Sequence, residues 1–370
     1  MVEWKKLGNI IKYLPGGTLR RDEVKEKGLY PVMNGGIDYS GYYDEYNYDE
    51  NVLTVSHWGS SASHIHRHNS KFWANNACWV FVPKDELDCN IQYLYQVLKE
   101  RENTMMQTMC FGGATPNLNR SLFEKQEIPI PSLSEQKRIV GILDAFTSAI
   151  DNLKEQIAQR RKQYEYYRDQ LLDLEGKPEQ DIHCWGEFCK MEKGNGVQKV
   201  DFVEKGIGCI HYGQIYTHYG SYAYETNKFV SEETFAKAKK ASKGDVILTD
   251  TSENVEDICK SVAWLGDDDI AVSNHALIIK HNQNPKFLSY STQTNSFFLQ
   301  KRRVVVGVKV SGIKPDDLAK IKIFLPPLQV QQRIVSILDT FEASIQNLEA
   351  QLKEREKQYE YYRNKLLTFE

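Results

Sequence analysis

Apolar side chains recur at alternating intervals of four and three at Ile139, Leu143, Phe146, Ile150, Leu153 and Ile157, and the register continues through Arg160, Tyr164, Tyr167 and Leu171. The same register returns at Ile334, Leu338, Phe341, Ile345, Leu348, Leu352, Arg355, Tyr359, Tyr362 and Leu366. Four heptads separated by polar residues predict a coiled-coil helix in each place. The two stretches are copies: residues 131–172 recur without a gap at 326–367, an offset of 195. Residues 1–130 and 181–325 show only scattered likeness, so the order is variable unit, fixed helix, variable unit, fixed helix. At 1.5 Å per residue, about 38 helical residues span roughly 57 Å.

Each helix follows a proline stop, Ile130-Pro131-Ser132 or Leu325-Pro326-Pro327. Ser132 and Glu135 have the spacing of a capping box, and the second copy lacks it. One apolar seam needs one partner seam. The simplest solution packs the two helices on each other, antiparallel about a pseudo-twofold axis. Leu171 then lies near Ile334 or Leu338, and Leu366 near Ile139. Pairing between chains of a dimer is the alternative. Arg160 and Arg355, at seam positions, either set register or extend out of the seam.

The copies also agree off the seam. Gln136, Arg138, Asp144, Gln156, Glu165, Tyr166 and Arg168 match Gln331, Arg333, Asp339, Gln351, Glu360, Tyr361 and Arg363, and Asn152 and Lys162 match Asn347 and Lys357. A buried seam requires only apolar character. Matching polar residues outside it point to an outward face that docks the same partner twice.

The variable units read as mixed α/β. In the first, residues 51–55 and 77–82 are strand-like and 90–101 form an amphipathic helix. In the second, 244–249 is a turn and strand and 276–280 is another strand. Asn75-Asn76-Ala77 and Asn274-His275-Ala276 occupy the same place in the two, which predicts one fold with two surfaces. The loops are rich in side chains that meet base edges and phosphates. The candidates in the first unit are His57, Trp58, Ser60, Ser61, Arg67, Asn75, Asn76, Asn117, Asn119 and Arg120. Those in the second are His211, Gln214, Tyr216, Thr249, Thr251, Asn254, Asn274, His275 and the basic run Lys301-Arg302-Arg303.

Charge argues against a simple nucleic-acid binder. The net charge of the 370 residues is −3. Residues 1–130 hold 14 Lys and Arg against 16 Asp and Glu, and residues 181–325 hold 19 against 18. If the chain binds nucleic acid, its positive charge must be concentrated on one face or shared with a partner. No stretch approaches the roughly 18 apolar residues of a membrane span, so no membrane association is expected. The start, MVEWKKLGNI, lacks a signal-peptide core. Seven scattered cysteines without a CxxC pair fit reduced thiols and a cytoplasmic location.

Catalytic signatures are missing. The alternating His64, His66 and His68, with His57 nearby, could line one strand face, but no adjacent Cys or carboxylate completes a metal set. There is no phosphate-binding GxxxxGK[ST], no GxSxG, and no third glycine after Gly206-Ile207-Gly208. Leu325-Pro326-Pro327-Leu328 lacks the polar and aromatic ends of an amino-methyltransferase motif.

The whole chain resembles the specificity subunit of a type I restriction–modification system. The resemblance rests on the tandem order and on the helix starts at 130–140 (IPSLSEQKRIV) and 325–335 (LPPLQVQQRIV). The Leu-Asp-x-Phe steps at 143–146 and 338–341 and the unit openings Glu3-Trp4-Lys5-Lys6-Leu7-Gly8 and Cys184-Trp185-Gly186-Glu187-Phe188 add to it. Val330 stands where the pattern favours Glu, which Glu135 provides in the first copy. The resemblance implies an α+β fold of two mixed α/β target-recognition domains, 1–130 and 175–325. Each precedes a helical spacer, 131–174 and 326–370, and the two helices pack as an antiparallel coiled coil. It further implies a non-catalytic chain that reads an asymmetric bipartite target in double-stranded DNA, with the helices setting the unread spacer. Two methyltransferase subunits would dock on the helices, with restriction/translocase subunits beyond them. S-adenosylmethionine, ATP and Mg2+ would sit on those partners, with no cofactor or metal on this chain. Two other readings stay open: a coiled-coil adaptor with protein-binding ends, and an enzyme such as a nuclease with a cryptic site in the variable units.

Overall fold

The computed structural model describes residues 2–86, 88–307 and 311–369. It divides into two compact units, Met1–Lys154 with Ala350–Glu370, and Glu155–Glu349. Two helices of 40 residues, Leu133–Leu172 and Leu328–Leu367, contribute to both.

In the first unit, Ile139, Val140 and Leu143 of the first long helix share a core with Tyr359, Leu366 and Leu367 of the second. Phe146 stacks on Tyr362 at 5.3 Å, and the Arg355 guanidinium lies 5.7 Å from the Phe146 ring. The second unit repeats this with the roles exchanged. Leu171 and Leu172 pack with Ile334, Val335 and Leu338, Tyr167 stacks on Phe341 at 5.4 Å, and Arg160 lies 6.0 Å from the Phe341 ring. The helices are thus antiparallel within one chain, with Leu171 beside Ile334 and Leu338, and Leu366 beside Ile139. The two seam arginines are neither register errors nor free. Each covers an aromatic ring of the opposite helix with its cation and lets its stem fill the seam. Arg161 adds an ion pair to Glu349 at 2.5 Å, and Lys154 one to Glu356 at 3.9 Å, both exposed. Leu172 and Leu367 are more buried than the seam residues before them. A helix of 3.6 residues per turn drifts off a 3.5 repeat, so the next residue rotates into the core.

Strands β1 (Ile11–Leu14), β2 (Val52–Ser56), β3 (Ile65–His68) and β4 (Cys78–Pro83) form an antiparallel sheet in the order β1-β4-β2-β3. Every residue of β2 is buried because the sheet is covered on both faces. Leu53 and Val55 meet helix α1 (Ile91–Glu100) through Leu94, Val97 and Leu98. Val52, with Val80 of β4, faces Met33 and Ala74 of a small second sheet and the adjacent Phe72. This is the period-two alternation of a strand between two layers.

The second unit repeats the plan. Strands β5 (Cys189–Lys193), β6 (Tyr222–Ala223), β7 (Val246–Thr249), β8 (Ser261–Trp264) and β9 (Ala276–His281) lie in the order β5-β9-β7-β8-β6. Val246, Leu248, Leu277 and Ile279 face helix α2 (Pro285–Ser291), while Ile247, Val262 and Ile278 face the other layer. The strands read at 51–55, 77–82, 244–249 and 276–280 and the helix read at 90–101 are all present.

Each helix entry is fastened in the same way. Asn90 and Asn284 cap α1 and α2 with their side chains. Their own N–H groups donate to Gln136 Oε1 at 2.8 Å and Gln331 Oε1 at 3.0 Å. Gln136 Nε2 donates to the Asp88 and Pro131 carbonyls, both at 2.9 Å. Gln331 Nε2 donates to Gln283 Oε1 at 2.8 Å and the Pro326 carbonyl at 2.7 Å. Only half of the expected capping box forms. The Glu135 N–H donates to Ser132 Oγ at 3.4 Å, but the Glu135 carboxylate turns to Arg138 instead.

Candidate nucleic-acid interface

In the first unit the loop after β2 meets the segment 110–120. The Trp58 backbone bridges Asn117, the Gly59 N–H donates to the Pro116 carbonyl, and the Leu118 N–H to the His57 carbonyl. His57 Nε2 lies 3.0 Å from the Asn76 carbonyl, and its ring stacks on Trp79 at 5.1 Å. This leaves Trp58 58% exposed beside exposed Ser60, Asn76 and Asn117. Phe111, also 58% exposed, belongs to the same surface. Arg120 lies 3.8 Å over the Tyr13 ring and pairs with Glu124 at 2.8 Å. Asn119 caps the turn that Arg120 opens by accepting from the Leu122 N–H. Arg67 sits on strand β3, where its Nε donates to Asn69 Oδ1 at 2.8 Å.

In the second unit, Tyr216, Thr251, Asn254 and His275 share a cleft of about 550 Å³ with Tyr212, Ser252, Glu253 and Asp257. Thr251 Oγ1 donates to Asp250 Oδ1 at 2.7 Å and lies 3.2 Å from His275 Nδ1. Tyr216 donates its hydroxyl hydrogen to the Thr251 carbonyl. Burial raises the Tyr216 phenol above its ordinary range and lowers the His211 imidazole below its own. His275 holds a left-handed backbone, φ 65°, rare for a non-glycine residue and a mark of a constrained site.

Several candidates serve the scaffold. Asn75 is buried and pairs its amide with the Leu19 N–H at 2.9 Å and the Leu19 carbonyl at 3.0 Å. Asn274 accepts from the Gly196 N–H at 3.1 Å. Both asparagines thus pin the loop that follows the first strand of their main sheet, which explains their shared place. Thr249 is wholly buried, its one hydroxyl hydrogen shared between the Asp257 and Lys260 carbonyls at 3.2 and 3.3 Å. His211 and Gln214 cap one short helix reciprocally. Lys301 is buried, with Nζ donating to the Glu256 and Ile258 carbonyls, and burial lowers its pKa. Only Arg302 and Arg303 of that run are exposed.

The helix candidates divide likewise. Gln136 and Gln331 are the buried fasteners described above, so an outward docking role is corrected to an internal one. Asp339 pairs with Lys286 at 2.6 Å and accepts from the Tyr290 hydroxyl at 2.7 Å. Arg168 pairs with Asp169, and Arg363 with Glu100. Asp144 is half-buried. Exposed on both copies are Arg138 and Arg333, Gln156 and Gln351, Glu165 and Glu360, and Tyr166 and Tyr361. Tyr166 and Tyr361 sit edge-on to Tyr167 and Tyr362, each at 5.3 Å, so both copies present one surface.

Among the described residues, no cluster of three His, Cys, Asp or Glu is placed to hold a metal ion. Every described cysteine is unpaired, and among the described residues no helix is long and apolar enough to cross a membrane. The sequence model of the type I restriction modification DNA specificity domain matches the chain over residues 1–160 and 185–356. The chain belongs to that family.

Specificity chains confer DNA recognition and are non-catalytic. This one is 27% identical to a putative type I restriction enzyme specificity subunit of Haemophilus influenzae, covering 100% of this chain and 96% of that protein. It is equally 27% identical to the EcoR124I/EcoR124II specificity subunit of Escherichia coli, over 100% of this chain and 94% of that one. The fold is that of a type I S subunit crystal structure from M. genitalium, with a TM-score of 0.65 and 17% identity over 100% of this chain and 97% of that one. For a specificity chain, the Trp58 surface and the Tyr212 cleft are the candidate DNA faces. Tyr212 and Phe111 were missed in the sequence. A local signal for the first existed: Tyr212-Gly213 follows strand Ile207–Ile210 as Asn34-Gly35-Gly36 follows strand Tyr30–Met33. A side chain at Gly35 would meet the Ala77 carbonyl at 2.7 Å.

Proposed function

We propose that the chain reads an asymmetric, two-part target in double-stranded DNA and docks two methyltransferase subunits on its helices. One observation carries this reading. The helices make equivalent internal contacts twice and expose identical residues twice, while the loops of the two sheets differ throughout. Equivalent helix surfaces suit two copies of one partner, and different loops suit two different half-sites.

In this reading residues 1–130 and 175–325 are the recognition domains, and 131–174 and 326–370 set the unread spacer. Trp58, Ser60, Ser61, Asn76 and Asn117 contact one half-site, with His57 and Arg120 behind them. Thr251, Asn254, Tyr216 and His275 contact the other, with Arg302 and Arg303 toward phosphate. Tyr166, Glu165, Gln156 and Arg138 and their second-copy equivalents meet the methyltransferases. Those partners bind S-adenosylmethionine, and the restriction/translocase subunits bind ATP and Mg2+. They also supply positive charge that this chain lacks. A DNA target places the complex in the cytoplasm.

The test is genome-wide mapping of methylated adenine with and without the gene. A gapped two-part motif disappears with the gene; a continuous motif, or no change, refutes the reading.

A further inference from the structure

We infer that Glu253 reads the exocyclic amine of a cytosine in the half-site of the second unit. The inference rests on the proposed DNA reading and sharpens it at the Tyr212 cleft. The hydrogen bonds there are already directed. Thr251 gives its hydroxyl hydrogen to Asp250 Oδ1 at 2.7 Å. The 3.2 Å contact with His275 Nδ1 then requires the imidazole to donate, which in the neutral ring leaves Nε2 as an acceptor. The Tyr216 hydroxyl hydrogen is spent on the Thr251 carbonyl. The Asn254 amide is closed on Asp257, Nδ2 donating to Oδ2 at 2.8 Å and Oδ1 accepting from the Asp257 N–H at 2.8 Å. The acceptors that remain at the mouth are the exposed Glu253 carboxylate, the outer Asp257 oxygen and His275 Nε2, beside the Tyr212 and Ser252 hydroxyls and the second Asn254 N–H, and Glu253 carries the exposed charge among them.

Such a cleft repels phosphate. The neighbouring cations do not reverse this, because Lys193 is paired with Asp250 at 3.0 Å and Lys260 lies 4.0 Å from Asp257. The major groove offers hydrogen-bond donors only at cytosine N4 and adenine N6. Adenine places its N7 acceptor next to N6, which opposes the second carboxylate oxygen. Cytosine has no such neighbour on its own edge, so the carboxylate selects cytosine. Tyr212 packs edge-on against His275 at 5.2 Å and gives the cleft a rigid aromatic wall.

The experiment maps methylation by the assembled complex on genomic DNA, for wild type, Glu253→Ala, Glu253→Gln and the distant exposed control Glu232→Ala. The expected wild-type motif is gapped and has a cytosine in the half-site that the second unit reads. Glu253→Ala relaxes that one position, with preference for cytosine falling about ten- to a hundredfold. Glu253→Gln shifts it toward adenine, whose N6 and N7 a Gln amide can satisfy together. Glu232→Ala leaves the motif unchanged. A gapped wild-type motif that Glu253→Ala does not alter, or that it alters only in the other half, overturns the inference and spares the bipartite reading. A wild-type motif without a gap overturns both.

Discussion

Replacing Gln136 with Leu separates an internal fastener from a docking residue. The substitution keeps shape and removes three hydrogen bonds of 2.8–2.9 Å from a wholly buried side chain. Each is worth about 1 kcal/mol net, and the stranded Asn90 N–H costs about 1–3 kcal/mol when buried without a partner. The retained apolar volume offsets part of this, so the expected loss is about 3 kcal/mol. For a unit of roughly 150–250 residues that corresponds to a fall in Tm of about 6–12 °C. The assay is calorimetry of the isolated chain, beside Gln331→Leu, which removes the equivalent three bonds in the second unit. The two units need not melt together, so each variant is compared with its own transition. Both variants should lose comparable stability with no partner present. A Gln136→Leu chain that melts within 1 °C of wild type but no longer binds methyltransferase would refute the fastener and restore the docking role.

Other outcomes follow from the same geometry. Tyr166→Ala with Tyr361→Ala removes the two most exposed matching aromatics, 61% and 59% exposed. Native mass spectrometry should show methyltransferase copies falling from two toward none while stability stays within about 0.5 kcal/mol; undiminished binding would contradict the docking face. Acid should destabilise the fold through two histidines. Burial lowers His68 to about 2 and His281 to about 4. Below a pKa of about 6.5 the unfolded chain takes up protons that these folded rings refuse, so their contribution is full above that pH and declines beneath it. At pH 5 each costs about 2 kcal/mol. Denaturant midpoints at pH 7.5 and 5.0 test this, and a His281→Leu chain with the same pH dependence as wild type would contradict it. Tyr290→Phe should cost about 2 kcal/mol, because Asp339 loses the hydroxyl that donates to it at 2.7 Å and the half-buried Glu342 loses its 3.0 Å contact with the same oxygen; unfolding in denaturant measures it, and an unchanged midpoint would show that water replaces the hydroxyl.

The helices were legible because a 3.5-residue period sustained over four heptads predicts a coiled coil, and duplication made the other copy the simplest seam partner; only the structure chose it over pairing between chains. The strands were legible where β2 and β7 are dominated by Val, Leu, Ile and Thr, which suit a strand covered on both faces. The polar positions were harder to read. Gln136 matches Gln331 whether it faces a partner or ties down a cap, and sequence identity alone does not distinguish the two. Asn75, Thr249 and Lys301 have side chains suited to nucleic acid, yet each satisfies backbone groups that would otherwise be buried without partners. The left-handed backbone of His275, which helps shape the cleft, leaves no trace in residue type.

The division of labour between the two units is tested most directly by exchanging residues 1–130 for the corresponding segment of another specificity chain and mapping the methylated motif of the complex. One half-site should change completely, while the other half-site and the gap between them stay as they were. A motif altered in both halves, or in neither, would contradict independent reading by two units.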